Sequence, residues 1–210
     1  KKISNNALES GVNTITDFFT YELAKTIKSK YKKASLITAN NVFAHADNLK
    51  DIVKGIKELL SIDGIFVFEV SYLVDVLEKN LFDTIYHEHL SYHSVKPLKK
   101  FFLENDLDLF AVERVDTHGG SLRGYVQLNG SSRKQDGSVE KLINYENSIG
   151  LSNPKTFFKF SSNINKLKSD LLQLLETIKL NNKTIAGFGA PAKATTLMYQ
   201  LGITTKYIDF

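Results

Sequence analysis

The sequence predicts an α/β fold: an open, largely parallel sheet closed at one edge by an antiparallel hairpin, followed by an incomplete second α/β unit. Three observations carry this. Residues 35–39 and 65–70 are short apolar runs of strand length, and between them Ile52, Val53, Ile56, Leu59 and Leu60 share one face of a helical stretch. Strand, helix, strand with short connections is a βαβ unit of a parallel sheet. Residues 109–115 and 122–128 flank Asp116-Thr117-His118-Gly119-Gly120, whose glycines permit positive φ, so they read as a hairpin. Residues 184–188 read as a strand that runs through Gly187-Phe188-Gly189-Ala190-Pro191-Ala192-Lys193 into a helix ended by Gly202.

The remaining elements follow in order. Phe19, Leu23 and Ile27 recur at four-residue intervals and predict an amphipathic helix over 16–30, with a basic run over 28–33 behind it. Asp47 or Asn48 can cap the helix that ends at Ser61-Ile62-Asp63-Gly64. Ser94 can cap another that carries Leu98, Phe101 and Phe102, with Pro97 tolerated in its first turn. A polar stretch over 129–138 and a short helix near 139–147 precede a long amphipathic helix bearing Phe157, Phe160, Ile164, Leu167, Leu171, Leu174 and Ile178.

Composition narrows the function classes. With 210 residues, 42% of them apolar, the chain can bury a sizeable core. It contains no Cys, which excludes disulfides, cysteine nucleophiles and the thiolates of structural zinc sites. A net charge of +4 spread along helices gives weak support for nucleic acid and suits a phosphate-bearing small molecule equally well. No apolar stretch reaches the length of a membrane span and the start carries no apolar leader, so a soluble, cytoplasmic protein without membrane or nucleic-acid partners is expected.

The densest chemistry is Tyr86-His87-Glu88-His89-Leu90-Ser91-Tyr92-His93. Imidazole titrates at about pH 6.5, and a neighbouring carboxylate can fix its tautomer and raise its basicity, so a general base is the first reading. A polar strand edge or loop with satisfied histidines is the other. Metal ligation fits poorly, because the spacing is not the four-residue helical one and thiolates are absent. Ligands of parallel sheets bind beyond the carboxyl ends of the strands, here near Asn40-Asn41 and residues 69–72. The glycine loop before Lys193 offers backbone N–H groups, a helix dipole and a full charge to an anion, although it lacks both the third glycine of the dinucleotide fingerprint and the Gly-Lys-Ser/Thr of a P-loop.

Taken together, Ala39-Asn40-Asn41-Val42-Phe43-Ala44-His45, Tyr86-His87-Glu88-His89, Thr117-His118-Gly119-Gly120-Ser121-Leu122-Arg123 and Gly187-Phe188-Gly189-Ala190-Pro191-Ala192-Lys193 resemble, in order and spacing, the S-adenosylmethionine-dependent sugar C-methyltransferases. These act on nucleotide-linked 4-keto-6-deoxy sugars. The resemblance covers nearly the whole chain. It implies the C-terminal part of a class I methyltransferase Rossmann-like domain over 1–130, a linker over 131–154 and the start of a Rossmann-like C-terminal domain over 155–210. It also implies that a zinc-binding N-terminal domain and the glycine-rich loop for S-adenosylmethionine precede residue 1, so zinc is expected only there and no metal here.

Carried over by motif, His89 is the base that removes the C3 proton, Glu88 orients or polarises the site, and Tyr86 and His45 donate to the enolate oxygen or hold sugar hydroxyls. Asn40 and Asn41 touch cofactor or sugar. His118, Gly119, Gly120 and Arg123 reach the nucleotide-diphosphate sugar, while Gly189, Ala190 and Lys193 receive its diphosphate. His87 and His93 are expected to point away. The alternatives are a nucleotide-sugar or dinucleotide binding module without methyl transfer, and an NAD-dependent oxidoreductase, for which Asp209 stands close to the required distance beyond the glycine loop.

Overall fold

The structure, a computed structural model, describes residues 2–210. Helix α1 (Lys2–Glu9) leads through extended chain to α2 (Tyr21–Tyr31), which starts later than the expected 16 because the Thr20 side chain caps it, accepting from the Leu23 N–H at 3.2 Å. Phe19 instead packs onto the core from the preceding segment. Strand β1 (Ala34–Asn40), helix α3 (Leu49–Leu59) and strand β2 (Leu60–Ser71) form the expected βαβ unit, with β1 parallel to β2 from Leu36 opposite Ile65 to Asn40 opposite Glu69. Asn48 caps α3 by accepting from the Asp51 N–H, and Val53, Ile56 and Leu59 form its buried face. Helices α4 (Leu73–Glu78) and α5 (Val95–Leu103) follow, then strands β3 (Leu107–Val115) and β4 (Ser121–Leu128).

The sheet order is β1-β2-β4-β3. Because β4 is antiparallel to both neighbours, β3 runs in the direction of β1 and β2, and the hairpin closes an otherwise parallel sheet with its returning strand on the inside. Phe43, Phe66, Phe68 and Phe102 are fully buried together, with Phe68 and Phe102 ring centroids 5.5 Å apart. Aromatic rings at that spacing combine area burial with favourable edge and offset contacts. Phe43 therefore fixes the chain just beyond β1, two residues before His45.

Ser94 stands at the N-cap of α5 as expected, but its side chain does not cap. The carboxylate of Glu146 takes that role from helix α6 (Ser138–Ser148), accepting from the Val95 N–H at 2.6 Å and the Lys96 N–H at 3.2 Å, while the Tyr72 hydroxyl donates to it at 2.9 Å. A carboxylate at a helix N-terminus meets both the free N–H groups and the positive end of the dipole. The stretch expected as a linker over 131–154 thus contains a helix bound to the sheet unit, with Val139 wholly buried in its core.

Helices α7 (Pro154–Leu180) and α8 (Ala192–Leu201) make up the rest, with Ile164 and Leu201 buried around Phe82 in a second small core. Gly202 ends α8 at φ 73°, as expected. The strand expected over 184–188 is irregular chain, held beside the last residues by Asp209 N–H to the Ile185 carbonyl and Gly187 N–H to the Phe210 carbonyl. Two backbone bonds do not make a ladder. No helix among the described residues is long and apolar enough to cross a membrane.

Candidate active site

Residues 86–89 form a turn, closed by the His89 N–H on the Tyr86 carbonyl at 3.0 Å. The chain then docks against the 3-10 turn Phe43–His45, where the Leu90 N–H donates to the Ala44 carbonyl at 2.7 Å. This docking brings His45 and His89 together, ring centroids 4.9 Å apart, with the Tyr86 ring 4.6 Å from His89. His89 Nδ1 lies 2.7 Å from the Thr84 carbonyl oxygen. A carbonyl only accepts, so Nδ1 carries the proton, and the neutral ring keeps its lone pair on Nε2. The Tyr92 hydroxyl donates to the same oxygen at 3.0 Å.

Around these side chains lies a cavity of about 390 Å³. Asn41 and Ser71 line it from just beyond β1 and from the end of β2, His118 and Gly119 from the β3–β4 connection, and Lys193 from α8. Asn41 takes φ 53° there, its N–H donating to the Glu69 carbonyl at 2.8 Å. Sequence reasoning missed Leu81 and Thr84, while Ser71 lies in the 69–72 strand end it pointed to.

The hairpin connection is held rigidly. Thr117 donates its hydroxyl to Glu69 at 2.5 Å, and Lys79 Nζ donates to the Gly119 carbonyl at 2.8 Å. Gly120, at φ 144°, lies so close to Asp75 that a Cβ would stand 2.2 Å from its carboxyl carbon. Asp75 itself is fully buried and held by the Arg114 guanidinium through two bonds of 2.8 and 2.9 Å. The Thr117 hydroxyl and then Arg123 hold the Glu69 carboxyl below its ordinary value against the opposing effect of burial.

Of the residues singled out by sequence, Tyr86, His89, His45, Asn41, His118, Gly119 and Lys193 line one cavity. Six do not. Glu88 is exposed at the tip of the turn, because consecutive residues of a turn point outward where a strand would alternate them. Asn40 is exposed on β1, and Gly120 lies behind the loop against Asp75. Arg123 is occupied by the carboxylates of Glu69 and Glu113, both at 3.0 Å. Gly189 and Ala190 are exposed outside the cavity lining. His87 is exposed, and His93 is buried against Phe43. Among the described residues no group of three or more His, Cys, Asp or Glu side chains is arranged to hold a metal ion.

Residues 116–210, from the hairpin connection through Lys193, match the family model of the C-methyltransferase C-terminal domain. The matched segment includes both His118 and Lys193, while His45 and His89 come from the chain before it. Over all 210 residues the chain is 31% identical to the C-methyltransferase NovU of Streptomyces niveus, and it spans about half (50%) of that relative's length. Two solved structures align more loosely. A SAM-dependent methyltransferase from Anabaena variabilis shares 11% identity at a TM-score of 0.44, over 56% of this chain and 58% of its own. Magnesium protoporphyrin IX methyltransferase from Synechocystis shares 10% at a TM-score of 0.36, over 47% and 46%.

Proposed function

We propose that this chain is the substrate-activating part of an S-adenosylmethionine-dependent C-methyltransferase that acts at C3 of a nucleotide-linked 4-keto-6-deoxy sugar. The observation that carries the reading is the His89–Thr84 hydrogen bond, which leaves a basic lone pair on Nε2 among cavity-lining donors. The C-methyltransferase match and the relative's printed name support the type of transfer.

A carbon beside a ketone becomes nucleophilic when its proton leaves. His89 Nε2 takes the C3 proton, the electron pair moves onto the C4 oxygen, and Tyr86 and His45 stabilise that oxygen as donors. Lys193 receives the diphosphate, and His118 and Gly119 hold the sugar nucleotide from the opposite wall. For S-adenosylmethionine the described residues fit one flank: the Asn41 amide at the strand end is the polar group on offer, and no acid of this cavity is free for a ribose. When bound, that cofactor supplies an electrophilic methyl group. The chain's own residues hold the sugar, generate the carbanion and exclude water. The dinucleotide reading is disfavoured by Asp209, whose carboxylate is taken by Lys179 at 2.6 Å and the Ile185 N–H at 2.7 Å.

The test separates the base from methyl transfer. In deuterium oxide without methyl donor, the full-length protein is expected to exchange the C3 proton of a thymidine diphosphate 4-keto-6-deoxy sugar, and His89→Asn to slow this by about two to four powers of ten. Undiminished exchange in His89→Asn removes His89 from the role. Absence of exchange in the unaltered protein removes the enolate reading.

A further inference from the structure

The 3-10 turn Phe82–Thr84 puts three consecutive residues to three uses. Phe82 is buried with Ile164 and Leu201 in the core of α7 and α8. The Asp83 carboxylate lies 3.3 Å from Lys193 Nζ. The carbonyl of Thr84 holds His89. Lys193 lines the cavity with a side chain 51% exposed, and Asp83 is the more enclosed partner at 19%. An ammonium already neutralised by a carboxylate is not a free receptor for an anion. A phosphate that binds it must take Nζ from that carboxylate, exchanging one charge-assisted contact for another.

We infer that Asp83 is a counter-ion latch: it holds Lys193 at the cavity wall until a phosphate group of the substrate takes its place, and the exchange occurs one residue from the carbonyl that orients His89. The inference rests on the reading of the cavity as a diphosphate-sugar site. Asp83 acts through Lys193 and is a positioning residue.

The test is calorimetric titration of the full chain at low ionic strength with inorganic pyrophosphate and, separately, thymidine diphosphate. Asp83→Asn removes the competing charge, so pyrophosphate is expected to bind about five-fold tighter, the range of an exposed ion pair. The gain should fall below about two-fold in a Lys193→Gln background and shrink with added salt. An equal gain in both backgrounds means that Asp83 repels the anion directly, and overturns the latch. So does a gain seen neither in Asp83→Asn nor in Asp83→Ser, or pyrophosphate binding by neither the unaltered chain nor the variants. If pyrophosphate shows the expected pattern and thymidine diphosphate does not bind, the latch stands and the nucleotide-sugar reading falls.

Discussion

The ring of His89 is oriented by the backbone of Thr84, with Nδ1 2.7 Å from the carbonyl oxygen. The orienting group is a peptide carbonyl, and every residue type supplies one. Thr84→Ala should therefore leave the tautomer intact. Nitrogen-15 shifts of the His89 ring are expected to show the Nδ1–H form favoured about five-fold or more in the neutral state, the weight of one hydrogen bond. Equal populations of the two tautomers would contradict the assigned geometry.

Glu146 is 3% exposed and serves the Val95 and Lys96 N–H groups and the Tyr72 hydroxyl at once. Its loss strands three donors. Glu146→Ala is expected to lower unfolding free energy by about 3 kcal/mol or more, each buried unpaired donor costing about 1–3. Urea denaturation measures this. A loss of less than about 1 kcal/mol would mean that water replaces the carboxylate.

Burial holds the His93 imidazole below its ordinary value, with the Phe43 backbone opposing only in part, and among the described residues its Nε2 has no partner. The folded state therefore keeps His93 neutral where the unfolded chain, with an ordinary pKa of about 6.5, takes up a proton. The stability this contributes is complete above that value and is lost as the pH falls below it. Between about pH 7.5 and 5.5 the urea midpoint should drop, and His93→Leu should flatten the drop. The Glu69 carboxyl, held below its ordinary value, adds a separate loss at lower pH, below about 4.3 where the unfolded carboxyl takes its proton.

Local pattern made most of the sheet unit legible. The buried face of α3 and the two flanking apolar runs fix the βαβ unit, and the strand-end rule leads to Asn41. Tyr86, His89 and His45 stand out because few structural roles ask for so many polar rings together. What stayed hidden depends on distant chain. Arg123 looks free until Glu69 and Glu113 flank it in register across the sheet. Glu146 caps a helix 51 residues before it in the chain. Glu88 needs the turn to be known before its direction can be. The expected strand over 184–188 has the right composition, but among the described residues it meets only two backbone bonds from the end of the chain.

The burial of Phe82 also sets an order of assembly. Its partners Ile164 and Leu201 emerge from the ribosome long after the sheet strands have been made. A nascent chain can close its sheet and still lack the contacts that seat the turn beneath His89. A chain that stops short of Leu201 therefore lacks the packing that seats Phe82, two residues before the carbonyl that orients the His89 ring.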